Sequence, residues 1–260
     1  MGLIREKFRE LKKQGKKAFI PYMTFGFPDM KTFESIVMAL DRAGADFIEI
    51  GLPFSDPIAD GPIIQTSSKI ALDKGANIYK LLSSLKKLKS RIRAPLILMT
   101  YYNPVYHMGI DKFFKRFSRL IDGVIVADLL AEEAGHFVNK ARENNIDTIF
   151  FISPTTQKER LRLIDRLSSG FIYYISVTGV TGPRKTLPSK IFKHIKKIKK
   201  QVRAAVCIGF GISSQKQARM FKKYFDGVIA GSVLIKKILI CRKNRNFLKD
   251  FEKFTLWLNG

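Results

Sequence analysis

PLILMTYYNPVYHMGIDKFFKRFSRLIDGVIVADLL, residues 95–130, contains two apolar runs on either side of a segment with helical periodicity. The runs at 95–102 and 123–130 do not alternate with polar residues, which is typical of strands buried on both faces of a parallel sheet. The segment 111–119 repeats its apolar residues at the spacing of a helix. This stretch therefore predicts a strand, a helix and a second strand.

The same strand-and-helix unit recurs along the chain. Six further apolar runs predict strands at 18–25, 46–53, 147–154, 171–177, 205–211 and 227–232. Helical periodicity predicts helices at 31–43, 78–92, 131–145, 157–168, 188–201, 214–224, 233–240 and 246–258. Eight such units in about 250 residues predict an α/β fold, a (βα)8 TIM barrel. An open doubly wound sheet is the alternative, but it usually has a glycine-rich turn after its first strand, and this sequence has none.

No linker or shift in composition divides the sequence, so residues 1–260 are predicted to form one barrel domain. The first 17 residues place Ile4, Phe8 and Leu11 at helical spacing, which predicts an extra N-terminal helix and not a signal peptide. Residues 54–94 separate the second predicted strand from the third. This length predicts a long loop after strand two, where barrels commonly place functional residues.

The chain carries 47 Lys and Arg against 22 Asp and Glu, a net charge of +25, which raises the question of a nucleic-acid partner. The lysines surround apolar stripes in several predicted helices, such as 78–92 and 188–201, and are not interleaved with aromatic residues as in a base-stacking site. The pattern favours solvated helix faces over a basic barrel that binds RNA. The longest apolar stretches are too short for a membrane span. Two cysteines, Cys207 and Cys241, are too few for a disulfide framework, which fits a cytoplasmic protein.

Glu49 lies in Phe47-Ile48-Glu49-Ile50, an otherwise apolar predicted strand. A buried carboxyl group is costly without a partner or a task. Burial should raise its pKa and make it an acid or base usable near neutral pH. From position alone, a catalytic role and a structural role are equally supported, the structural role being a salt-bridged glutamate or one that faces outward from a half-exposed strand. Other polar residues at the strand ends, which open on one face of a barrel, are Asp60, Tyr101, Asn103, Asp128 and Tyr173.

Glycines follow the last predicted strands. Gly209-Phe210-Gly211 comes after strand seven, and Gly231-Ser232 after strand eight leads directly into a helix. Such turns allow backbone N–H groups and a positive helix end to approach an anion, and barrels often bind phosphate at this place. Residues 179–182, GVTG, predict a loop after strand six that closes over the same phosphate. Tight turns that merely require glycine explain either motif alone nearly as well.

EIGLPFSDPIADGPIIQ, residues 49–65, resembles the signature of the tryptophan synthase alpha chain family. The resemblance extends to YYNP at 101–104, VAD at 126–128, GVTG at 179–182 and the two glycine motifs. It implies a TIM barrel that cleaves indole-3-glycerol phosphate into indole and glyceraldehyde 3-phosphate. It also implies an alpha2-beta2 complex in which indole passes to a beta subunit carrying pyridoxal phosphate, with no cofactor in this chain. No metal is required, and His107, His136 and His194 stand on separate units without the spacing of metal ligands.

The resemblance implies a role for each matching residue. Glu49 is the acid and base at indole C3 and the neighbouring hydroxyl, and Asp60 accepts from the indole N–H. Tyr173 lies beside the reacting glycerol carbons. The residues implied for the phosphate are Gly182, Phe210, Gly211, Gly231 and Ser232, with Thr181 in the closing loop.

The resemblance also implies an indole pocket and a partner contact. The pocket residues are Tyr22, Met99, Ile125 and Ala127, although ordinary core packing explains each of these nearly as well. The residues implied for contact with the beta subunit are Asp56 and Pro57. Because one segment would carry both this contact and Asp60, partner binding would be coupled to activity.

Two departures from the family pattern leave an alternative open. Val177 stands where many members have arginine, and Leu129-Leu130 follow Asp128 where the family usually has a proline. Both changes lie in loops that exclude water from the site. The alternative is a catalytically weak or inactive alpha subunit that acts mainly as an allosteric activator of the beta subunit.

Overall fold

The computed structural model describes residues 2–175, 189–209, 212, 214–242 and 244–260. Within these residues, the strands all run parallel in one sheet of order β5-β4-β3-β2-β1-β9-β8-β7-β6. The strands are β1 Ala18–Thr24, β2 Ile48–Gly51, β3 Leu96–Thr100, β4 Gly123–Val126, β5 Asp147–Thr148, β6 Phe150–Ile152, β7 Phe171–Tyr174, β8 Ala205–Ile208 and β9 Gly227–Ala230.

β5 and β6 are two parts of the fifth barrel strand. Only Ile149 separates them, and its N–H still donates to the carbonyl of Val124 at 3.2 Å. β5 pairs with β4, and β6 pairs with β7. Because this one segment joins both edges of the sheet, the predicted (βα)8 barrel is confirmed. The prediction of an unbroken strand over 147–154 was wrong at Ile149.

Helices surround the sheet. They are α1 Leu3–Lys13, α2 Met30–Arg42, α3 Pro62–Asp73, α4 Ile78–Lys89, α5 Tyr102–Met108, α6 Ile110–Phe117, α7 Gly135–Glu143, α8 Lys158–Leu167, α9 Ser189–Lys199, α10 Gln215–Lys222, α11 Ser232–Cys241 and α12 Phe247–Asn259. The N-terminal helix is confirmed as α1. Inside the described residues, no helix has both the length and the apolar character that a bilayer span requires.

Two helices were not predicted, and several predicted strands were too long. α3 lies within the predicted long loop after strand two and begins at Pro62, whose fixed φ suits the first helical position. α5 begins at Tyr102, inside the run assigned to strand three. The predicted strand 46–53 shortens to Ile48–Gly51, because the apolar run continues past the last ladder position into the turns around the site.

Alternate strand residues fill the barrel interior, and α1 covers its N-terminal end. The Phe8 ring stacks on Phe47 with centroids 4.9 Å apart and meets the edge of Phe171 at 5.7 Å. The N–H of Ile4 donates to the Asp147 carboxylate at 3.2 Å. The opposite, C-terminal end of the strands carries the polar residues predicted for the site.

The lysine-rich helices present their charges to solvent. In α4, Leu81, Leu85 and Leu88 are buried, whereas Lys86 and Lys87 are exposed. The predicted placement of these lysines on the outward face of an amphipathic helix is therefore confirmed for this helix.

Aspartates at the start of three strands bond to the backbone of the preceding barrel strand. Asp46 accepts from the N–H of Phe19 at 2.8 Å, and Asp122 accepts from the N–H of Leu96 at the same distance. Asp226 accepts from the N–H of Val206 at 3.0 Å. Each bond joins residues that are distant in sequence, so each one fixes how two neighbouring strands begin.

Of the three, Asp226 accepts the most side-chain and backbone hydrogen bonds among the described residues. Lys199 Nζ lies 2.6 Å and Lys17 Nζ 3.4 Å from its Oδ1. Burial raises the pKa of Asp226, but the hydrogen bonds from Lys199 and Val206 outweigh burial, and its pKa is lowered. The ionised carboxylate therefore stabilises the fold above the ordinary pKa of an aspartate, and this contribution is lost as pH falls through the lowered pKa.

We expect Asp226→Ala to lower the free energy of unfolding at pH 7 by about 1–3 kcal/mol, since hydrogen bonds to a charged group are lost. The difference from wild type should shrink in acid. Urea denaturation at pH 7 and pH 3 measures both effects. Asp73→Ala, at an exposed position in α3, is the matched control. An equal loss of stability in both variants would contradict the prediction.

Candidate active site

Glu49 points into the barrel from β2. It pairs in register with Tyr22 on β1 and Ile97 on β3. The side chain is fully buried, and neither carboxyl oxygen has a hydrogen-bond partner among the described residues. Burial, and then the negative charge of Asp60, raise the pKa of Glu49 to about 8. The predicted desolvated carboxyl group is therefore present, and it holds a proton at neutral pH.

Asp60 lies between β2 and α3 and carries the second carboxyl group of the site. Burial raises the pKa of Asp60 to about 6, although a hydrogen bond from Tyr101 acts in the opposite direction. Because Asp60 is less buried than Glu49, its carboxyl group ionises first. At pH 7 the two groups are therefore in different states, one ionised and one protonated, as acid and base chemistry requires.

Tyr173 points inward from β7 and is 6% exposed. Its hydroxyl lies 3.5 Å from the carbonyl of Gly209, and a Cβ at Gly209 would overlap the ring. Burial, and then the charge of Glu49, raise the pKa of Tyr173 well above its ordinary value. The phenol keeps its proton next to the carboxyl pair.

The predicted pocket residues lie close together at this end of the barrel. Tyr22 and Ile125 are buried in one interior cluster with Tyr173, and Met99 packs at its margin. Ala127 is half-buried just after β4, and its N–H donates to the carbonyl of Thr100 at 2.8 Å. Apolar side chains and the phenols of Tyr22 and Tyr173 thus lie at the end of the barrel that holds Glu49, whose register partner is Tyr22.

The Tyr22 side chain lies across two glycines. A Cβ at Gly51 would overlap its hydroxyl, and a Cβ at Gly231 would lie 3.2 Å from its ring. Gly231 is the N-cap of α11, and Ser232 is the first residue of that helix. A positive helix end is therefore beside the Tyr22 ring. The other residues predicted for the phosphate and the closing loop, Gly182, Phe210, Gly211 and Thr181, lie outside the described residues, as does Val177.

A buried hydrogen-bonded chain attaches α3 to β1. Thr24 Oγ1 lies 2.6 Å from Ser67 Oγ, and the Ser67 hydroxyl donates to the carbonyl of Ile64 at 2.7 Å. Sequence reasoning missed Ser67 because α3 was not predicted. Tyr101 was named from the sequence as a residue at a strand end but was given no role. Because side chains alternate between the two faces of a strand, Tyr101 is expected to point to the same side as Ile97 and Met99, which is the barrel interior.

The segment before Asp60 is at the surface. Asp56 is exposed and accepts from the Ser55 hydroxyl at 2.7 Å, whereas Pro57 is half-buried. Ile58 is 83% exposed. Leu130, one of the departures from the family pattern, is 50% exposed. The predicted contact residues are therefore available to another molecule within a few residues of Asp60.

The family model described as tryptophan synthase alpha chain matches residues 8–257. The tryptophan synthase alpha chain of Geotalea daltonii is 44% identical over 238 residues, 91% of this chain and 90% of the relative. That of Picosynechococcus is 40% identical over 240 residues, 92% of this chain and 91% of the relative.

Solved structures give the same result. Tryptophan synthase subunit alpha from Legionella pneumophila superposes with a TM-score of 0.93 at 29% identity, covering 100% of this chain and 97% of that one. A chain of the tryptophan synthase complex from Pyrococcus furiosus superposes with a TM-score of 0.83 at 35% identity, covering 93% and 97%.

The raised pKa of Glu49 has a cost in stability. Between pH 4.5, the ordinary pKa, and pH 8, the unfolded chain is ionised at this residue and the folded chain is protonated. Each pH unit in this window lowers the free energy of unfolding by about 1.4 kcal/mol. We expect Glu49→Met to be more stable than wild type at pH 7 by about 3 kcal/mol, with most of this gain absent at pH 4.

Urea denaturation at pH 4 and pH 7 measures the difference. Glu133→Met, at an exposed glutamate, should show no comparable change between the two pH values. A Glu49→Met gain of equal size at both pH values would show that the carboxyl group is not desolvated in the folded protein.

Proposed function

The chain belongs to the tryptophan synthase alpha chain family, and from that premise we propose that it cleaves indole-3-glycerol phosphate into indole and glyceraldehyde 3-phosphate. The reaction is a retro-aldol cleavage of the bond between indole C3 and the adjacent glycerol carbon. One observation carries the proposal. Glu49 is fully buried and close enough to Asp60 for the negative charge of Asp60 to raise its pKa, and the pKa values of the two groups are raised to about 8 and about 6, so one is protonated while the other is ionised.

Glu49 moves the proton in both halves of the reaction. Its carboxylic acid protonates indole C3, which leaves positive charge on the ring nitrogen. The electrons of the C3–glycerol bond then return to the ring as that bond breaks. The neighbouring hydroxyl becomes the aldehyde and gives its proton to the Glu49 carboxylate, which restores the acid.

Asp60 stabilises the intermediate. Its ionised carboxylate accepts a hydrogen bond from the indole N–H, and this bond strengthens as positive charge develops on the ring. Tyr22, Met99, Ile125 and Ala127 hold the flat ring, and Tyr173 lies beside the glycerol carbons. The phosphate binds at the N-terminus of α11 through Gly231 and Ser232, together with Gly182, Phe210 and Gly211. Thr181 belongs to the loop that closes over it.

The indole passes to a beta subunit in an alpha2-beta2 complex, and the pyridoxal phosphate belongs to that partner. The exposure of Asp56 and Ile58 beside Asp60 supports a contact at this place. Cys207 and Cys241 are free thiols, which supports a cytoplasmic location. The proposed catalytic residues and the proposed binding residues belong to a single domain.

We expect Glu49→Gln to lower kcat for indole release by at least about 100-fold, because the amide cannot supply the proton. The assay follows indole formed from indole-3-glycerol phosphate, with and without the cognate beta subunit. Binding to the beta subunit should be unchanged, and Glu133→Gln should behave as wild type. Stimulation of the beta subunit by a wild-type chain that forms no indole would support the activator alternative and refute the proposed lyase.

The pH dependence of kcat/KM should be bell-shaped. Activity should fall as pH drops below about 6, because Asp60 becomes protonated, and as pH rises above about 8, because Glu49 loses its proton. In Asp60→Asn the acid limb should disappear from the residual activity, while the alkaline limb should remain but move to lower pH, because the charge of Asp60 no longer raises the pKa of Glu49. If the acid limb persists in Asp60→Asn, it is caused by the titration of a group other than Asp60.

A further inference from the structure

Tyr101 contacts the Asp60 segment at three points. It follows β3 on the inward register, after Ile97 and Met99, and is 3% exposed. Its hydroxyl donates to Asp60 Oδ2 at 3.1 Å and accepts from the N–H of Ala59 at 3.1 Å. Its ring stacks on Phe54, with centroids 5.0 Å apart. One side chain directly after β3 therefore touches both ends of the connection 54–60.

The other contacts of Asp60 involve its backbone. Its N–H donates to the carbonyl of Pro57 at 3.0 Å, and its carbonyl accepts from the Gln65 amide at 2.9 Å. These bonds place the main chain but leave the side chain free to rotate. Within the described residues, Tyr101 is the side chain that bonds to the Asp60 carboxylate.

Toward Asp60, the Tyr101 hydroxyl can act only as a hydrogen-bond donor. Burial, and then the negative charge of Asp60, raise the pKa of the Tyr101 phenol, so it keeps its proton at all working pH values. Because the hydroxyl already accepts from Ala59, its own proton is directed at the carboxylate. This donation favours the ionised form of Asp60 and fixes one oxygen.

We propose that Tyr101 is a positioning residue, which holds the Asp60 carboxylate in the orientation and ionised state needed to accept from the indole N–H. The inference rests on the proposed function, because it deepens the role given there to Asp60. Tyr101 needs no contact with the substrate to have this effect.

Tyr101→Phe tests the inference, because phenylalanine keeps the ring stack and loses only the hydroxyl. We expect kcat for indole release to fall about tenfold, the value of one hydrogen bond to a charged group, with a smaller change in KM. The acid limb of the kcat/KM profile should move to higher pH, since Asp60 loses a donor that favours its ionised form. A packing defect alone would not shift this limb. Tyr79→Phe, on the exposed surface of α4, is the matched control.

A double-mutant cycle separates action through Asp60 from direct action. Adding Tyr101→Phe to Asp60→Asn should lower the residual kcat by less than about twofold. A tenfold loss in both backgrounds, or a wild-type pH profile in Tyr101→Phe, would overturn the inference.

Carbon-13 NMR of the aspartate carboxyls gives a readout that needs no substrate. The pKa of Asp60, assigned by its loss in Asp60→Asn, should be higher in Tyr101→Phe than in wild type, and unchanged in Tyr79→Phe. If wild type forms no indole but this shift is present, the proposed function fails and the contact between Tyr101 and Asp60 stands. If indole forms and the shift is absent, the positioning role fails alone.

Discussion

The desolvation of one carboxyl group governs the site. Glu49 stands in a strand whose neighbours are apolar, and among the described residues nothing bonds to its oxygens. Such a group lowers the stability of the fold, so the rest of the barrel must stabilise the structure elsewhere. Such contacts are found at the opposite end, where α1 covers the interior with Phe8 and aspartates such as Asp226 join the strand starts. The two ends of the barrel therefore serve stability and chemistry separately.

The second carboxyl group works because its surroundings differ from those of Glu49. Both pKa values are raised by burial, but Asp60 lies outside the strand, near the barrel mouth, and accepts a hydrogen bond. Its charge in turn raises the pKa of Glu49, so ionisation of one group keeps the proton on the other. A single local arrangement thus sets both protonation states near neutral pH.

The sequence predicted what local patterns determine. Apolar runs gave the barrel and the buried position of Glu49, because a polar residue inside such a run must face the interior or a helix. Local periodicity did not reveal α3, which carries several hydroxyl residues, or α5, which starts within an apolar run and contains Pro104. The contact between Tyr101 and Asp60 joins residues on separate barrel units, so no local spacing could indicate it. The resemblance to a family supplied the roles of single residues, which the patterns alone left open.

The same contact bears on how a partner would influence the chemistry. Asp56 and Ile58 are exposed, yet Ala59 and Asp60 are bonded to Tyr101, so the boundary between surface and site falls within two residues. A partner that binds Pro57 would therefore act on Asp60 through the hydrogen bond from the Asp60 N–H to the Pro57 carbonyl and through the bonds of Ala59 and Asp60 to Tyr101. Since coupling free energies are reciprocal, a partner that favours the bonded position of Asp60 would itself bind more tightly when Tyr101 holds Asp60 in that position. The contacts of Tyr101 with Ala59 and Asp60 would thus link partner binding to catalysis.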